Sequence, residues 1–330
     1  MSRNQHGELF TATTLTDAIN ALPTVPGKAG ALGIFEEKGV RTTTVLIEHH
    51  EGRLALVPTA SRTDNPTPVS RSKRARRPFE IPHLPQSGVL LPADVQDLVE
   101  FGSQTNPVSS VATVVNDELE RLKANIDATK EWHRVGALRG RILDADASVI
   151  YDLHEEFGIT PPEQEVALGA SGDPRKSLLD GKRQIERAAT GIVITGWRAF
   201  VGPDFFDRLT GHKEVKAAYA NWQAAQDRLG GDLRTGFTYA GIVFEEYIAR
   251  VSGQDYIPTA GGVLFPIARG MFKVYNAPAN YNEAVNTLGK PYYAKSKERD
   301  MGKGYDLEAQ ANPLTINLVP GATVDLSIGT

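Results

Sequence analysis

The chain has 330 residues, about twice the common size of one domain, so its length allows one elaborate domain or two linked subdomains. Hydrophobic residues make up 41% and charged residues 23%, as in ordinary folded proteins, and the net charge of -4 excludes an overall attraction to nucleic acid or anionic membranes. The chain contains no cysteine, which excludes disulfides, thiolate metal ligands and cysteine nucleophiles.

No apolar signal segment follows the first residues, and no run of about 18 apolar residues occurs. We therefore expect a soluble protein that is neither exported by a signal nor inserted in a membrane. The lack of cysteine fits folding inside a cell.

Residues 1–35 are predicted to form an arm. A short helical patch at 15–22 is followed by two prolines and two glycines between residues 23 and 30, which interrupt helices and favour extended chain. The β-branched runs at 40–47 and 53–57 flank a turn and predict a strand pair.

The stretch 58–92 contains seven prolines and a basic run of five positive charges in seven residues, 71–77. It shows almost no helical periodicity and cannot bury much of itself. A stretch of this length without regular structure is typical of disorder or of a loop that contacts something else.

A long amphipathic helix is predicted at 111–138, beginning near Ser109 or Ser110, because apolar residues recur there at spacings of three and four. At 1.5 Å per residue it is roughly 40 Å long. The residues predicted to face the core are Val115, Leu119, Leu122 and Ile126.

The rest of the chain mixes short helices and strands, so the predicted class is α+β. We expect two strands around a turn at 140–153, helices at 174–189 and 203–229, a strand at 192–195, and β-rich segments at 237–243, 263–274, 305–309, 314–319 and 323–328. Asp173 is the expected N-cap of the first of these helices.

Two motifs imitate metal sites, and neither predicts one. Adjacent histidines in the EHHE segment at 48–51 point to opposite faces of a strand, so they cannot share one ion without a bulge. Asp144, Asp146, Ser148 and Glu155 imitate an EF-hand loop, but Val149 replaces its required glycine. The motifs of hydrolases, zinc proteases and nucleotide-binding loops are absent, so we expect no catalytic, cofactor or metal site.

Several segments, taken in order, resemble the phage major capsid protein E family (lambda-type major capsid proteins). They are GVRTTTV at 39–45 continuing to EGRLALV at 51–57, PHL at 82–84, GALRGRILDAD at 136–146, YDL at 151–153, FG at 157–158 and KGYDLEAQANP at 303–313. These segments span nearly the whole chain.

The resemblance implies the Hong Kong 97-type capsid fold, with an N-arm, an extended E-loop hairpin, a peripheral (P) domain carrying a spine helix, and an axial (A) domain. The implied boundaries are 1–35 for the N-arm, 36–95 for the E-loop and its flanking strands, 96–190 for the P domain with its spine helix at about 111–138, 191–300 for the A domain, and 301–330 for a return to the P domain.

The resemblance also implies a non-catalytic major capsid protein that assembles into the icosahedral shell of a tailed phage around double-stranded DNA. Hexamers and pentamers of the chain itself, with portal, scaffold and decoration proteins, are then the expected partners. The arm and the hairpin lack cores of their own, so we expect them to be ordered by lying across neighbouring subunits. An encapsulin-like compartment shell and a nucleic-acid-binding protein are the alternatives.

The basic run has three interpretations. It is a solvated charged edge that blocks aggregation, an E-loop surface that pairs with acidic neighbours, or a contact with packaged DNA. Pairing between subunits is the prediction we carry forward, and its residues are Arg71, Lys73, Arg74, Arg76 and Arg77.

Overall fold

The computed structural model describes residues 12–22, 27–49, 75–96, 107–218, 236–251 and 253–329. Its helices are α1 (Ala12–Ala21), α2 (Lys28–Ala31), α3 (Pro92–Gln96), α4 (Pro107–Leu138), α5 (Leu153–Phe157), α6 (Pro174–Ala188) and α7 (Pro203–Gly211). Its strands are β1 (Phe35–Gly39), β2 (Thr44–His49), β3 (Ala75–Glu80), β4 (Leu84–Leu90), β5 (Arg141–Leu143), β6 (Val149–Asp152), β7 (Glu163–Ala167), β8 (Ile194–Val201), β9 (Phe237–Tyr239), β10 (Ile242–Glu246), β11 (Arg250–Val251), β12 (Gln254–Asp255), β13 (Gly261–Ala268), β14 (Phe272–Asn276), β15 (Tyr293–Glu298), β16 (Tyr305–Ala311), β17 (Pro313–Asn317) and β18 (Val324–Gly329).

The chain divides into two compact units, each made of three separate stretches. The first unit comprises residues 1–45, 79–131 and 273–315, and the second comprises 46–78, 132–272 and 316–330. These boundaries differ from those drawn on the sequence: residues 273–300 group with the first unit, and 316–330 group with the second.

The core of the first unit lies between helices and a three-stranded antiparallel sheet of order β15-β16-β4. Helix α4 contributes the four predicted residues, which are nearly or fully buried. The sheet contributes small and apolar residues such as Ala294, Leu307 and Ala309. Alternation along β16 places Leu307 and Ala309 on the side of the helices, and Ala294 of β15 pairs with Ala309. The four α4 residues are Val115, Leu119, Leu122 and Ile126.

Helix α1 packs into the same core, through the buried side chains of Leu15 and Ile19. This differs from the expectation that the arm is ordered only by neighbouring subunits. Residues 12–22, one of the two described parts of the predicted arm, are held by their own chain. Two apolar side chains on one face of a ten-residue helix are enough to anchor it against a preformed surface.

Helix α4 ends at the predicted residue and begins four residues before the predicted start, at Pro107. Proline suits the first helical position because a backbone N–H there would have no partner within the helix. The helix stops because Gly140 takes a positive φ of 75°, a conformation that L-residues adopt at a steric cost. With 32 residues the helix is about 48 Å long.

The second unit is built on a six-stranded sheet of order β7-β18-β13-β8-β10-β9. It is mixed: β10 runs parallel to β8 and β18 parallel to β7, whereas β13 is antiparallel to both β8 and β18. The middle of β13 is buried on both faces, and Val263 pairs with Phe200. Such burial on both faces is typical of a central strand.

Helix α6 packs on this sheet through Leu178 and Ile185, and it begins as predicted at the Asp173 cap, whose carboxylate accepts the Lys176 N–H at 2.9 Å. A Cβ on Gly181 would lie 3.3 Å from Leu264, so this glycine lets the helix approach the sheet closely.

The remaining elements agree with the sequence-based predictions to different degrees. The predicted strand at 192–195 is the start of the longer β8, and β2 pairs with β3. The predicted partner at 53–57 and the Pro-rich segment 58–74 lie outside the described residues. The predicted hairpin at 140–153 is present as β5 and β6.

Candidate functional site

The basic run is only partly described. Arg71, Lys73 and Arg74 lie outside the described residues, and Arg76 is placed on β3 without a described side chain. Arg77 forms an ion pair with Glu156 of the same chain, at 3.2 Å, and the two side chains are 49% and 37% exposed. An ion pair as exposed as this contributes at most about 1 kcal/mol, so it leaves the guanidinium available to other partners.

Three charged residues on α4 are buried, although lysine and glutamate are usually exposed: Lys123, Lys130 and Glu131. Lys123 Nζ donates to the carbonyl of Leu22 at 2.6 Å, and Lys130 Nζ donates to the carbonyl of Pro291 at 3.0 Å. Each buried ammonium is thus hydrogen-bonded to a backbone oxygen, as buried polar groups usually are.

Both lysines also lie over the ring of Tyr292, with Lys130 Nζ 3.5 Å and Lys123 Nζ 4.8 Å from its centroid. The Tyr292 hydroxyl donates to Asp127, one turn of α4 from both lysines. Burial lowers the pKa of Lys123, and the carboxylates of Asp127 and Glu120 oppose that shift. The negative face of the ring and the carboxylate together offset part of the cost of burying two cations.

Glu131 caps the start of α2. Its two carboxylate oxygens accept the N–H groups of Ala29 at 2.6 Å and Gly30 at 3.0 Å. These N–H groups have no partners within a helix, so a carboxylate here satisfies two donors at once. The buried charges of α4 therefore attach the chain on both sides of residues 23–26 to this helix.

The sequence-based prediction did not include Lys123, Lys130 or Glu131. For the two lysines a signal was available. Lys123 and Lys130 fall on the apolar stripe of α4, four residues after the predicted core positions Leu119 and Ile126. A charge on an apolar stripe needs a specific partner, and the partners lie more than 100 residues away in sequence. Nothing local reveals them.

A cleft of about 480 Å³ lies in the second unit. Two ion pairs line it, Arg139 with Asp325 at 3.2 Å and Arg141 with Asp152 at 2.9 Å. Burial alone would raise the pKa of Asp152. The N–H groups of Glu155 and His154 and the Arg141 guanidinium stabilise the carboxylate more strongly, so the pKa of Asp152 lies below its usual range. The charges of the cleft are thus largely balanced within the chain.

His154 lines the same cleft and is only 5% exposed. Its Nδ1 lies 3.6 Å from Asp152, beyond a normal hydrogen bond. Burial lowers the pKa of His154, and Asp152 and Asp325 oppose the shift. Serine, threonine and cysteine, the usual partners of a histidine base in nucleophilic catalysis, are absent from the described residues that line the cleft.

The segment that imitates an EF-hand is a hairpin turn, as expected. Asp144 Oδ1 accepts the Ala145 N–H at 2.7 Å, and Asp146 Oδ1 accepts the Ser148 N–H at 2.9 Å. Ala147 takes a positive φ of 66°, which closes the turn. The side chains of the EHHE segment at 48–51 lie outside the described part.

Within the described residues, no helix is both long enough and apolar enough to span a membrane.

Comparison with protein families gives one match over nearly the whole chain: residues 11–328 match the family described as phage major capsid protein E. The major capsid protein of Salmonella phage Felix O1 is 26% identical, over 99% of this chain and 98% of its own length. The major capsid protein of Pseudomonas phage KPP10 is also 26% identical, over 96% of each chain.

Solved structures with the same fold include phage capsid proteins. A prophage protein from E. coli CFT073, described as a capsid protein, matches with a TM-score of 0.61 over 97% of this chain and 99% of its own, at 12% identity. The capsid of the myovirus XM1 matches with a TM-score of 0.50 over 93% of this chain and 94% of that one, at 11% identity.

Proposed function

The chain belongs to the phage major capsid protein E family, and from this premise we propose that it is the shell subunit of a tailed phage, whose copies enclose a double-stranded DNA genome. Its fold is the Hong Kong 97-type capsid fold, as the family resemblance implied, and it belongs to the α+β class predicted from the sequence. The observation that carries the proposal is the match to this family over residues 11–328.

The role we propose is structural and without catalysis. The cleft of the second unit supports this, because its two arginines are paired with carboxylates and its described lining includes no serine, threonine or cysteine. The buried charges of α4 likewise bind backbone groups of the chain itself. These charged groups therefore hold the fold together.

The proposed assembly is a closed icosahedral shell of hexamers and pentamers. Repeated contacts stabilise such a lattice even where each contact is weak, and permanent assemblies commonly bury more than about 2,000 Å² per contact. We propose that the E-loop supplies part of these contacts, with Arg71, Lys73, Arg74, Arg76 and Arg77 meeting acidic residues of neighbouring subunits. Arg77 combines this role with its exposed pair to Glu156.

Further proposed partners are portal, scaffold and decoration proteins, and packaged DNA bound without sequence specificity. The subunit would fold and assemble in the cytoplasm of the bacterial host and end in the shell of the virion. A net charge of -4 supports DNA contacts that are local rather than spread over the subunit. The encapsulin-like alternative is not better supported by these relatives.

Negative-stain microscopy of the purified full chain tests the proposal. We expect closed particles tens of nanometres wide by the assembly argument above. A monomer or dimer with salt-sensitive DNA affinity would contradict it and favour the nucleic-acid-binding alternative.

Charge reversal tests the role of the E-loop within that assembly. The double variant Arg74→Glu/Arg76→Glu should stay soluble and fail to give closed shells, whereas Arg74→Lys/Arg76→Lys, which keeps the charge, should assemble. Wild-type yields of shells from the charge-reversed protein would reject the E-loop role without affecting the family assignment.

A further inference from the structure

Strand β15 is an outer strand of the sheet β15-β16-β4, and its open edge is covered by helix α1. Thr16 Oγ1 donates to the carbonyl of Ala294 at 3.1 Å and accepts the N–H of the same residue at 3.2 Å. Asn20 Nδ2 donates to the carbonyl of Tyr292 at 2.9 Å. The donor and acceptor of Ala294 are thus both used, as a neighbouring strand would use them.

Further contacts fix the helix over this edge. Leu15 and Ile19 are buried in the core beneath the helix. Lys123 Nζ donates a hydrogen bond to the carbonyl of Leu22, the residue that follows α1. An exposed ion pair joins Asp17 to Lys290 at 3.2 Å. The apolar contacts hold α1 in place, while Thr16 and Asn20 act on the backbone of the strand itself.

The opposite edge of the sheet is strand β4, with the sequence LPQSGVL. It carries no charged residue, and Val89 is 49% exposed on it. Within the described residues, β4 pairs only with β16. Outer strands are usually protected from pairing with other chains by charges or by a covering element, and among its own residues β4 has only Pro85 for this purpose.

We propose that α1 is a strap that prevents β15 from pairing with β4 of a second copy of the chain. The two edges differ, so their pairing is head-to-tail. Each added copy exposes another unpaired edge of the same kind, so the row of copies can grow without closing into a ring. The strap therefore removes one of the two edges that an open polymer needs. This inference concerns the free subunit and does not depend on shell formation.

Substitution of the two edge-binding side chains tests the strap. Thr16→Val/Asn20→Ala keeps the apolar anchors of α1 but removes its hydrogen bonds to β15. We expect hydrogen–deuterium exchange at Ala294 to rise about tenfold, and elongated polymers to form as the protein concentration rises. Asp17→Asn, on the same helix, removes only the exposed ion pair and should change neither result.

A second variant separates strand pairing from unfolding. Adding Val89→Lys to the double variant puts a charge on the β4 edge and should restore a monodisperse subunit, with Ala294 still exchanging fast. Unchanged exchange at Ala294 in the double variant, a subunit that stays monodisperse despite fast exchange, or polymers that persist with Val89→Lys would each overturn the proposal.

Discussion

His133 makes the stability of the subunit depend on pH. This residue of α4 is 0% exposed, and neither ring nitrogen has a hydrogen-bond partner in the part of the chain that the structure describes. Burial lowers the pKa of His133 to about 4 from 6.5, and the carboxylate of Asp144 only partly opposes this shift. The folded protein therefore holds His133 neutral in a pH range where the unfolded chain protonates it.

The sign and size of the effect follow from that difference. Because the unfolded chain binds more protons between pH 6.5 and about 4, the stability contributed by neutral His133 is complete above this range and is lost as the pH falls through it. The whole shift corresponds to about 3 kcal/mol, of which about 2 kcal/mol is lost by pH 5.

Urea denaturation of the unassembled subunit at pH 7.5 and pH 5 measures this loss. His133→Leu supplies a side chain of similar size that does not titrate, so it should remove about 2 kcal/mol of the pH dependence. His154, whose pKa is also lowered by burial, is present in both proteins and cancels in the comparison. Equal pH dependence in the two proteins would refute this account of His133.

Three further predictions concern stability, measured by the same denaturation at pH 7.5. Leu122→Ala removes a fully buried core side chain and should cost roughly 2–5 kcal/mol, whereas Asn116→Ala on the exposed face of α4 should stay within about 0.5 kcal/mol. Gly140 and Gly158 both have positive φ, but only at Gly140 would a Cβ meet another residue, so Gly140→Ala should cost at least about 2 kcal/mol more than Gly158→Ala. Glu131→Gln weakens the cap of α2 and should cost about 1–2 kcal/mol, and a loss below about 0.3 kcal/mol would contradict its capping role.

Elements defined by local patterns were predictable from the sequence. The spacing of apolar residues gave the end of α4 at Leu138, and the Asp173-Pro174 pair gave the start of α6. Both rest on interactions within a few residues of chain, namely helical periodicity and capping. The turn between β5 and β6 was predictable for the same reason.

Features that depend on distant residues were not predictable. The parallel pairing of β18 with β7 joins segments about 160 residues apart, and no local pattern specifies it. The burial of α1 depends on a core assembled from α4 and β15–β16, and the roles of Lys123 and Lys130 depend on backbone oxygens far away in sequence. The proposed assembly residues were chosen by charge alone, and only Arg77 has a described side chain.

Strand β18 is the last strand of the six-stranded sheet to be synthesised. Residues 324–329 occupy the interior of the six-stranded sheet, between β7 and β13, although the ribosome makes them after every other strand of that sheet. A nascent or prematurely terminated chain without β18 leaves β7 unpaired and leaves β13, which still pairs with β8, with one open edge. The six-stranded sheet can therefore be completed only after β18 has been synthesised.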